Sequence, residues 1–330
     1  MEIACTQWVE ITDSSSVGEV RRTALAVAQR LAFDETRSGE LSLLGTEAAR
    51  NVLIHGGGGQ VVVAGIRDGR EAMARILAID RGAGIPDLPR AMADGYSTAG
   101  TPGGGLGAMK RIASFLEVFS NKSGTVVMLE IGHVDQPERL QIAGLAAPYP
   151  GERVCGDGWS CQSDEDRTVI VLVDGLGHGF GAAEATEEAL ATFRARGRSA
   201  PGRILEDMHD PLRKTRGAVV GIAEIRPKQN SMVFAGVGNI SCALLSEGRS
   251  RSFVSHSGTL GLRMSRVQEF QAEWPSDAVL VMHSDGLQSK WDLSGYAGIL
   301  ARHSAMIGGV LMRDFRRQRD DATVVVVKAA

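Results

Sequence analysis

The sequence predicts a two-domain protein of α/β (α+β) class, an α/β half followed by a half of antiparallel sheets faced by helices. Three observations predict it. The chain has 330 residues, too many for one ordinary core and suited to two domains of roughly 150 residues each. Residues 132–140 (GHVDQPERL) lose apolar periodicity and gather proline and charge, as a linker does. Helical and strand patterns mix before that stretch, whereas after it short apolar runs dominate, with helices gathered between them rather than alternating. The predicted organisation is a domain over 1–132, a linker over 133–140 and a domain over 141–330.

The first half opens with a strand pattern at 7–11. Asp13 and Ser14 to Ser16 offer N-caps for a helix with Val20, Ala24, Val27 and Leu31 at helical spacing. A second helix carries Leu41, Leu44, Ala48 and Val52 on one stripe. Segments 60–66 and 74–79 are β-type runs ending at turn residues. A helix over 106–116 and a strand over 125–131 complete the half. Strands are expected in the second half at 168–173, 218–225, 231–237, 240–245, 278–282 and 323–328, with helices at 181–194 and 202–212.

Composition narrows the class. Hydrophobic residues make up 43% and charged residues 23% of the chain, the balance of a globular protein. Net charge is −3 without a basic block, which disfavours a nucleic-acid partner. The pairs Arg21-Arg22 and Arg316-Arg317 are short enough to be solvated helix faces. The N-terminus mixes Glu2, Gln7 and Glu10 with apolar residues, unlike a signal-peptide core, and no run of about 18 apolar residues suggests a membrane span. Cys5, Cys155, Cys161 and Cys242 form no CxxC pair and suit small buried residues of a reducing, bacterial cytoplasm.

The second half carries aspartates at strand ends. Asp174 follows 168–173 (TVIVLV), Asp285 follows 278–284 (AVLVMHS), and Asp320 and Asp321 precede 322–327 (ATVVVV). Asp157 lies in 154–159 (VCGDGW). Crowded carboxylates are costly unless a cation compensates them. Oxygen ligands without His or Cys select hard ions such as Mg²⁺ or Mn²⁺. Two such ions, about 3.5–4 Å apart, activate an in-line attack on phosphorus while neutralising phosphate oxygens. Glycine after a strand-end aspartate lets the backbone approach the metal, so the Gly175 carbonyl is itself a candidate ligand. A single Asp-Gly is commonly only a turn; four aspartates placed this way favour a metal site.

The order 156–157 (GD), 174–179 (DGLGHG), 284–286 (SDG) and 320–323 (DDAT) resembles PP2C-type phosphatases of the bacterial sporulation and stress-response branch. With 182–185 (AAEA), 215–218 (TRGA) and 235–239 (AGVGN), it is similar to the RsbX-type stressosome phosphatases over about 140–328. The resemblance implies a PP2C-type α-β-β-α sandwich in which Asp174 bridges two metals and is essential to catalysis. It further implies the Gly175 carbonyl on one metal, Asp285 and Asp320 on the other, and Asp157 acting through metal or metal-bound water. One departure stands out: many eukaryotic relatives carry histidine two residues after the bridging aspartate, and this chain has Leu176. His178 is nearby but offset, with a loop hydrogen bond or a phosphate contact as its open alternatives. Asn239, after a glycine, is a turn residue or lines the site.

In the first half, Glu47, Asn51 and His55 recur every four residues along one shoulder of the second helix. Such groups can hold Mg²⁺ and orient an attacking hydroxyl. Asp80 ends a strand and opens 80–86 (DRGAGIP), where it can accept from an adenine amino group. Segment 103–107 (GGGLG) opens a helix whose free amides can receive phosphates. Neither a P-loop nor a strand-GxGxxG-helix is present. Together with 95–98 (GYST) and Lys110-Arg111, these segments resemble the GHKL ATP-binding fold over about 6–131, in its RsbT-type anti-sigma-factor and stressosome serine-kinase variant. The resemblance implies an α/β sandwich binding ATP with Mg²⁺. Glu47 would be the base, Asn51 the Mg²⁺ ligand and Asp80 the adenine anchor, with Gly82 and Gly84 in its turn. Gly103, Gly104, Gly105, Leu106 and Gly107 would cover the phosphates, with Lys110 as a phosphate contact or a solvated side chain. A two-component histidine kinase would need a phosphoacceptor histidine upstream, yet the first histidine is His55.

The implied function is a metal-dependent serine/threonine phosphatase joined to a serine-kinase-like ATP-binding domain. Its expected partner is a phosphorylated STAS-type anti-sigma-factor antagonist or a stressosome protein. The alternative is an ATP-responsive partner-binding regulator whose first domain does not turn over.

Overall fold

The computed structural model describes residues 2–68, 71–92, 105–133, 140–264 and 267–329. The chain divides into two compact units, Met1–Asp135 and Gln136–Ala330. Residues 134–139 of the anticipated linker lie outside the described residues. Among the described residues no helix is long and apolar enough to cross a membrane.

The first unit runs β1 (Glu2–Ile11), α1 (Ser14–Leu31), α2 (Glu35–Gly56), β2 (Gly59–Asp68), β3 (Glu71–Asp80), α3 (Leu88–Ala91), α4 (Leu106–Ile112), β4 (Phe115–Asn121) and β5 (Gly124–His133). Asp13 caps α1, its carboxylate accepting from the Ser15 and Ser16 amides, which satisfies donors the helix cannot pair internally. Asp34 caps α2 in the same way, and Gly57 closes it in the left-handed region at φ 69°. The five strands form one antiparallel sheet in the order β1-β2-β3-β5-β4. Val20, Ala24 and Val27 of α1 and Leu41, Leu44 and Ala48 of α2 pack on Val61, Val63, Ile76 and Leu129 of the sheet. Burial of that stripe is the main stabilising term of this layer.

The helix anticipated over 106–116 stops at Ile112. Ala113 is extended at φ −69°, ψ 138°, the Ser114 amide donates to the Glu130 carbonyl, and the chain enters β4 directly. The missed strand has no glycine or proline ahead of it to mark the change.

The second unit runs β6 (Leu140–Ala147), β7 (Asp157–Ser163), β8 (Thr168–Gly175), α5 (Phe180–Arg196), α6 (Pro201–Leu212), β9 (Ala218–Arg226), β10 (Ser231–Val237), β11 (Ser241–Ser246), β12 (Arg249–Phe253), β13 (Phe270–Glu273), β14 (Val279–His283), α7 (Ser304–Phe315) and β15 (Ala322–Ala329). Its strands form two antiparallel sheets, β13-β10-β9-β8-β7 and β12-β11-β14-β15-β6. Ala185, Ala189 and Phe193 of α5 and Ile204, Leu205 and Met208 of α6 pack on Val169, Val171, Val220 and Ile222 of the first sheet. Helix α7 lies on β6 and β15 of the second. The inner faces meet where a Cβ on Gly221 would contact Ile240 and Met282, and where Gly144 makes room for the Trp159 ring. The result is the anticipated helix-sheet-sheet-helix sandwich of antiparallel sheets. Strands β6, β7, β12 and β13 and helix α7 add to the elements anticipated from sequence.

Candidate functional site

The acidic residues of the second unit collect at one set of strand ends. Asp157 opens β7 and is the register partner of Asp174 near the end of β8. Asp285 follows β14, and Asp320 and Asp321 precede β15, with β14 and β15 paired through His283 and Val324. The two sheets therefore deliver Asp157 and Asp174 from one side and Asp285, Asp320 and Asp321 from the other. Glycines allow the close approach: a Cβ on Gly175 would run into the Ala182 carbonyl, and one on Gly156 would come within 2.7 Å of Asp321 Oδ2.

Electrostatics record the crowding. Burial, then the charges of Asp285, Asp320 and Asp321, push the Asp174 carboxyl up from 3.8 to about 7. Burial and the Asp174 charge hold Asp157 well above the carboxylate range. Asp320 is raised by burial and Asp285, and Asp321 by burial. Carboxylates that resist ionisation together are the setting a hard cation relieves.

Hydrogen bonds fix the set. The Ser284 hydroxyl donates to Asp157 Oδ2 at 2.6 Å, and the Thr323 amide donates to the same hydroxyl at 2.9 Å. Asn239 Nδ2 donates to Asp285 Oδ2 at 2.9 Å, so this turn residue does reach the site. The Tyr149 amide donates to Asp321 Oδ1 at 2.7 Å, and the Asp321 amide to Asp320 Oδ1 at 3.0 Å. His178 faces Glu152, with Nδ1 3.1 Å from Oε1, and stacks on Tyr149 with ring centroids 4.5 Å apart. The contact with Glu152 is a loop hydrogen bond.

Among the described residues no three or more His, Cys, Asp and Glu side chains stand grouped as a ready-made metal cage. The side-chain shell anticipated from sequence is thus not closed. The oxygen-only donors, their raised pKa values and the cleared backbone at Gly175 nevertheless fit a hard divalent ion, whose shell takes oxygen from carbonyls and water as well as carboxylates. Cys155, beside this cluster, is half-buried with its thiol pushed up by burial and by Asp157; Cys161 and Cys242 are buried.

In the first unit, a cavity of about 430 Å³ is lined by Glu47, Asn51, Asp80, Gly84, Gly105 and Leu106, with Ile85, Met109 and Thr125 among its other walls. The volume falls within the range of small-ligand sites. Asp80 sits at the end of β3, Oδ1 accepting from the Gly82 amide at 2.8 Å and the Thr125 amide at 3.2 Å. Gly84 is left-handed at φ 76°, where a Cβ would strike the Asn121 carbonyl. The Ile85 amide donates to Ser120 at 2.7 Å and pins the turn. Glu47 forms an ion pair with Arg50 at 3.5 Å, and His55 also faces the cavity. Gly82 supports Asp80 from outside the lining, Gly107 is buried in the first turn of α4, and Lys110 is exposed at its end and away from the cavity. Gly103, Gly104 and segment 95–98 lie outside the described residues.

Sequence reasoning missed Ser284, Thr323, Tyr149 and Glu152 in the acidic site and Ile85 and Thr125 in the cavity. Ser284 stands next to Asp285 and Thr323 next to the DDA triplet, so adjacency was the available signal.

A family model described as Stage II sporulation protein E (SpoIIE) matches residues 164–330, and one described as a histidine kinase-like ATPase domain matches residues 12–131. Serine/threonine-protein kinase RsbT of Bacillus subtilis (strain 168) is 33% identical over 104 residues, covering 32% of this chain and 78% of RsbT. Phosphoserine phosphatase RsbX of the same organism is 24% identical over 155 residues, covering 47% of this chain and 78% of RsbX. The crystal structure of RsbX in complex with magnesium shares the fold with a TM-score of 0.52 at 22% identity, covering 66% of this chain and 100% of that one. The chain belongs to the SpoIIE family of PP2C-type serine/threonine phosphatases and joins to that domain a histidine kinase-like ATPase domain of the RsbT kind.

Proposed function

We propose that the second unit hydrolyses phosphoserine or phosphothreonine on a partner protein with two Mn²⁺ or Mg²⁺ ions, and that the first unit binds ATP with Mg²⁺ and phosphorylates a partner. The observation that carries the phosphatase reading is the crowded carboxylate set around Asp174 at the meeting of two sheets. Asp174, Asp285, Asp320 and the Gly175 carbonyl would hold the ions, with Asp157 behind them through metal or metal-bound water. A bound pair of divalent cations supplies charge neutralisation for the phosphate oxygens and makes an attacking water more acidic. This chain's own residues set the geometry: Ser284 orients Asp157, Asn239 orients Asp285, and Gly156 and Gly175 clear the approach.

Similarity to both a serine/threonine-protein kinase and a phosphoserine phosphatase supports one partner class for the two activities, a STAS-type antagonist or stressosome protein. For the first unit, Asp80 would accept from the adenine amino group, Asn51 would hold Mg²⁺ and Glu47 would act as base. The Glu47–Arg50 ion pair favours a second reading, in which the domain captures ATP and partner without turnover.

Hydrolysis of p-nitrophenyl phosphate with Mn²⁺, with Mg²⁺ and with chelator, beside Asp174→Asn, tests the first part. Metal-dependent turnover lost in a folded Asp174→Asn variant is the expected result, and full activity in that variant overturns the two-metal account. For the second part, ATP-dependent phosphorylation of the partner is compared in Glu47→Ala. Unchanged phosphorylation there removes Glu47 as base.

A further inference from the structure

We propose that Arg216 is the side chain that anchors the substrate's phosphoryl group in the phosphatase centre, an inference that rests on the phosphatase reading. Arg216 stands in the short segment between α6 and β9, at the strand ends that carry the acidic set. The Leu176 amide donates to the Gly217 carbonyl at 3.0 Å, and Gly175 and Ala218 are register partners. The segment that carries Arg216 is therefore hydrogen-bonded to the loop that follows Asp174.

The guanidinium has a seat. A Cβ on Gly181 would lie 2.5 Å from Arg216 Nε and 2.7 Å from Cζ, and one on Gly177 would lie 3.2 Å from Nη1. Two glycines of the 174–181 loop thus clear the plane on which the guanidinium rests. Helix α5 begins on the same loop, and its cap Gly179 contributes no side-chain acceptor, which leaves first-turn amides to an external anion.

The charge is uncommitted. Arg203 pairs with Glu206 and Asp207, Arg213 with Asp210, and Arg226 with Glu224. Among the described residues Arg216 has no such partner, although it is exposed at the sandwich end that gathers five carboxylates. A planar fork of donors matches the oxygens of a phosphate monoester. The acidic set by itself repels that dianion, so a cation beside it is what the substrate's outer oxygens require.

The test combines kinetics with direct binding. In the Mn²⁺-loaded full chain, Arg216→Ala is expected to raise KM for p-nitrophenyl phosphate and the inhibition constant of inorganic phosphate about tenfold or more, with kcat changed less than either. Arg216→Lys should recover part of the loss. Gly181→Ala, a substitution inside a helix that keeps Arg216 but unseats it, should move the same constants in the same direction. Equilibrium dialysis of radiolabelled phosphate is run in parallel. Phosphate binding that is equal with and without Arg216 overturns the inference. Phosphate binding that depends on Arg216 in a protein that turns nothing over counts against the phosphatase reading alone.

Discussion

The Ser284 hydroxyl stands 2.6 Å from Asp157 Oδ2 and donates to it while accepting from the Thr323 amide. One oxygen thereby joins β7 of the first sheet to β14 and β15 of the second. Ser284→Ala would leave the nearly fully buried Asp157 carboxyl (6% exposed) without this donor, a loss of about 1–3 kcal/mol for an unsatisfied buried group. Denaturant unfolding followed by tryptophan fluorescence measures it. A variant as stable as the parent would show that Asp157 finds another donor.

Asn239 touches a carboxylate from outside the ligand set. Its amide donates to Asp285 Oδ2, which fixes the carboxylate's rotation. Supporting contacts of this kind typically alter metal affinity by about 10–100-fold. Asn239→Ala should weaken Mn²⁺ binding in calorimetry at the lower end of that range. Unchanged affinity in Asn239→Ala would assign the contact to loop packing.

The raised carboxyl of Asp174 predicts a pH slope. With its value moved from 3.8 to about 7 by burial and by Asp285, Asp320 and Asp321, the folded chelated protein holds more protons than the unfolded chain between those values. Stability should therefore fall as pH rises from about 4 to about 7 and then level off. Asp157, Asp320 and Asp321 shift in the same direction and reinforce the slope. Thermal unfolding in chelator from pH 5 to pH 8 reads it, and Asp174→Asn should flatten it. A slope of the opposite sign would falsify the crowded-carboxylate account.

Gly84 tests the proposal that the cavity of the first unit takes a nucleotide, without touching a charged group. Its φ of 76° and the Asn121 carbonyl leave no place for a Cβ. Gly84→Ala should cost about 1–3 kcal/mol of local strain and displace Ile85 from the cavity wall. Binding of a fluorescent ATP analogue should weaken at least tenfold, while hydrolysis of p-nitrophenyl phosphate persists. Undiminished analogue binding would mean that nucleotide sits elsewhere.

Much of this architecture was legible because its signals are local. Apolar β runs that end in aspartate put Asp174 and Asp285 at strand ends without any alignment, and the four-residue spacing of Glu47, Asn51 and His55 put them on one helix shoulder. What escaped depends on partners distant in sequence. Strand β7 (DGWSCQS) is an edge strand with polar residues at alternate positions and no apolar run. Helix α7 is buried nearly all round, so its pattern lacks the stripe that marks a surface helix. The Ser284 hydroxyl gains its role only when a residue 127 positions away arrives beside it, and Arg216 gains its seat only when the 174–181 loop folds under it.

Strand β15 is inserted between β14 and β6, with Asp320 and Asp321 just ahead of it. During synthesis, β6 and β14 have both emerged from the ribosome while the strand that belongs between them is still in the exit tunnel. A nascent chain at that stage has two unpaired inner edges and lacks two of its five acidic side chains. Activity against phosphoproteins should thus appear only once β15 has been made and has paired, and a chain stalled before residue 320 would expose strand edges rather than a working enzyme.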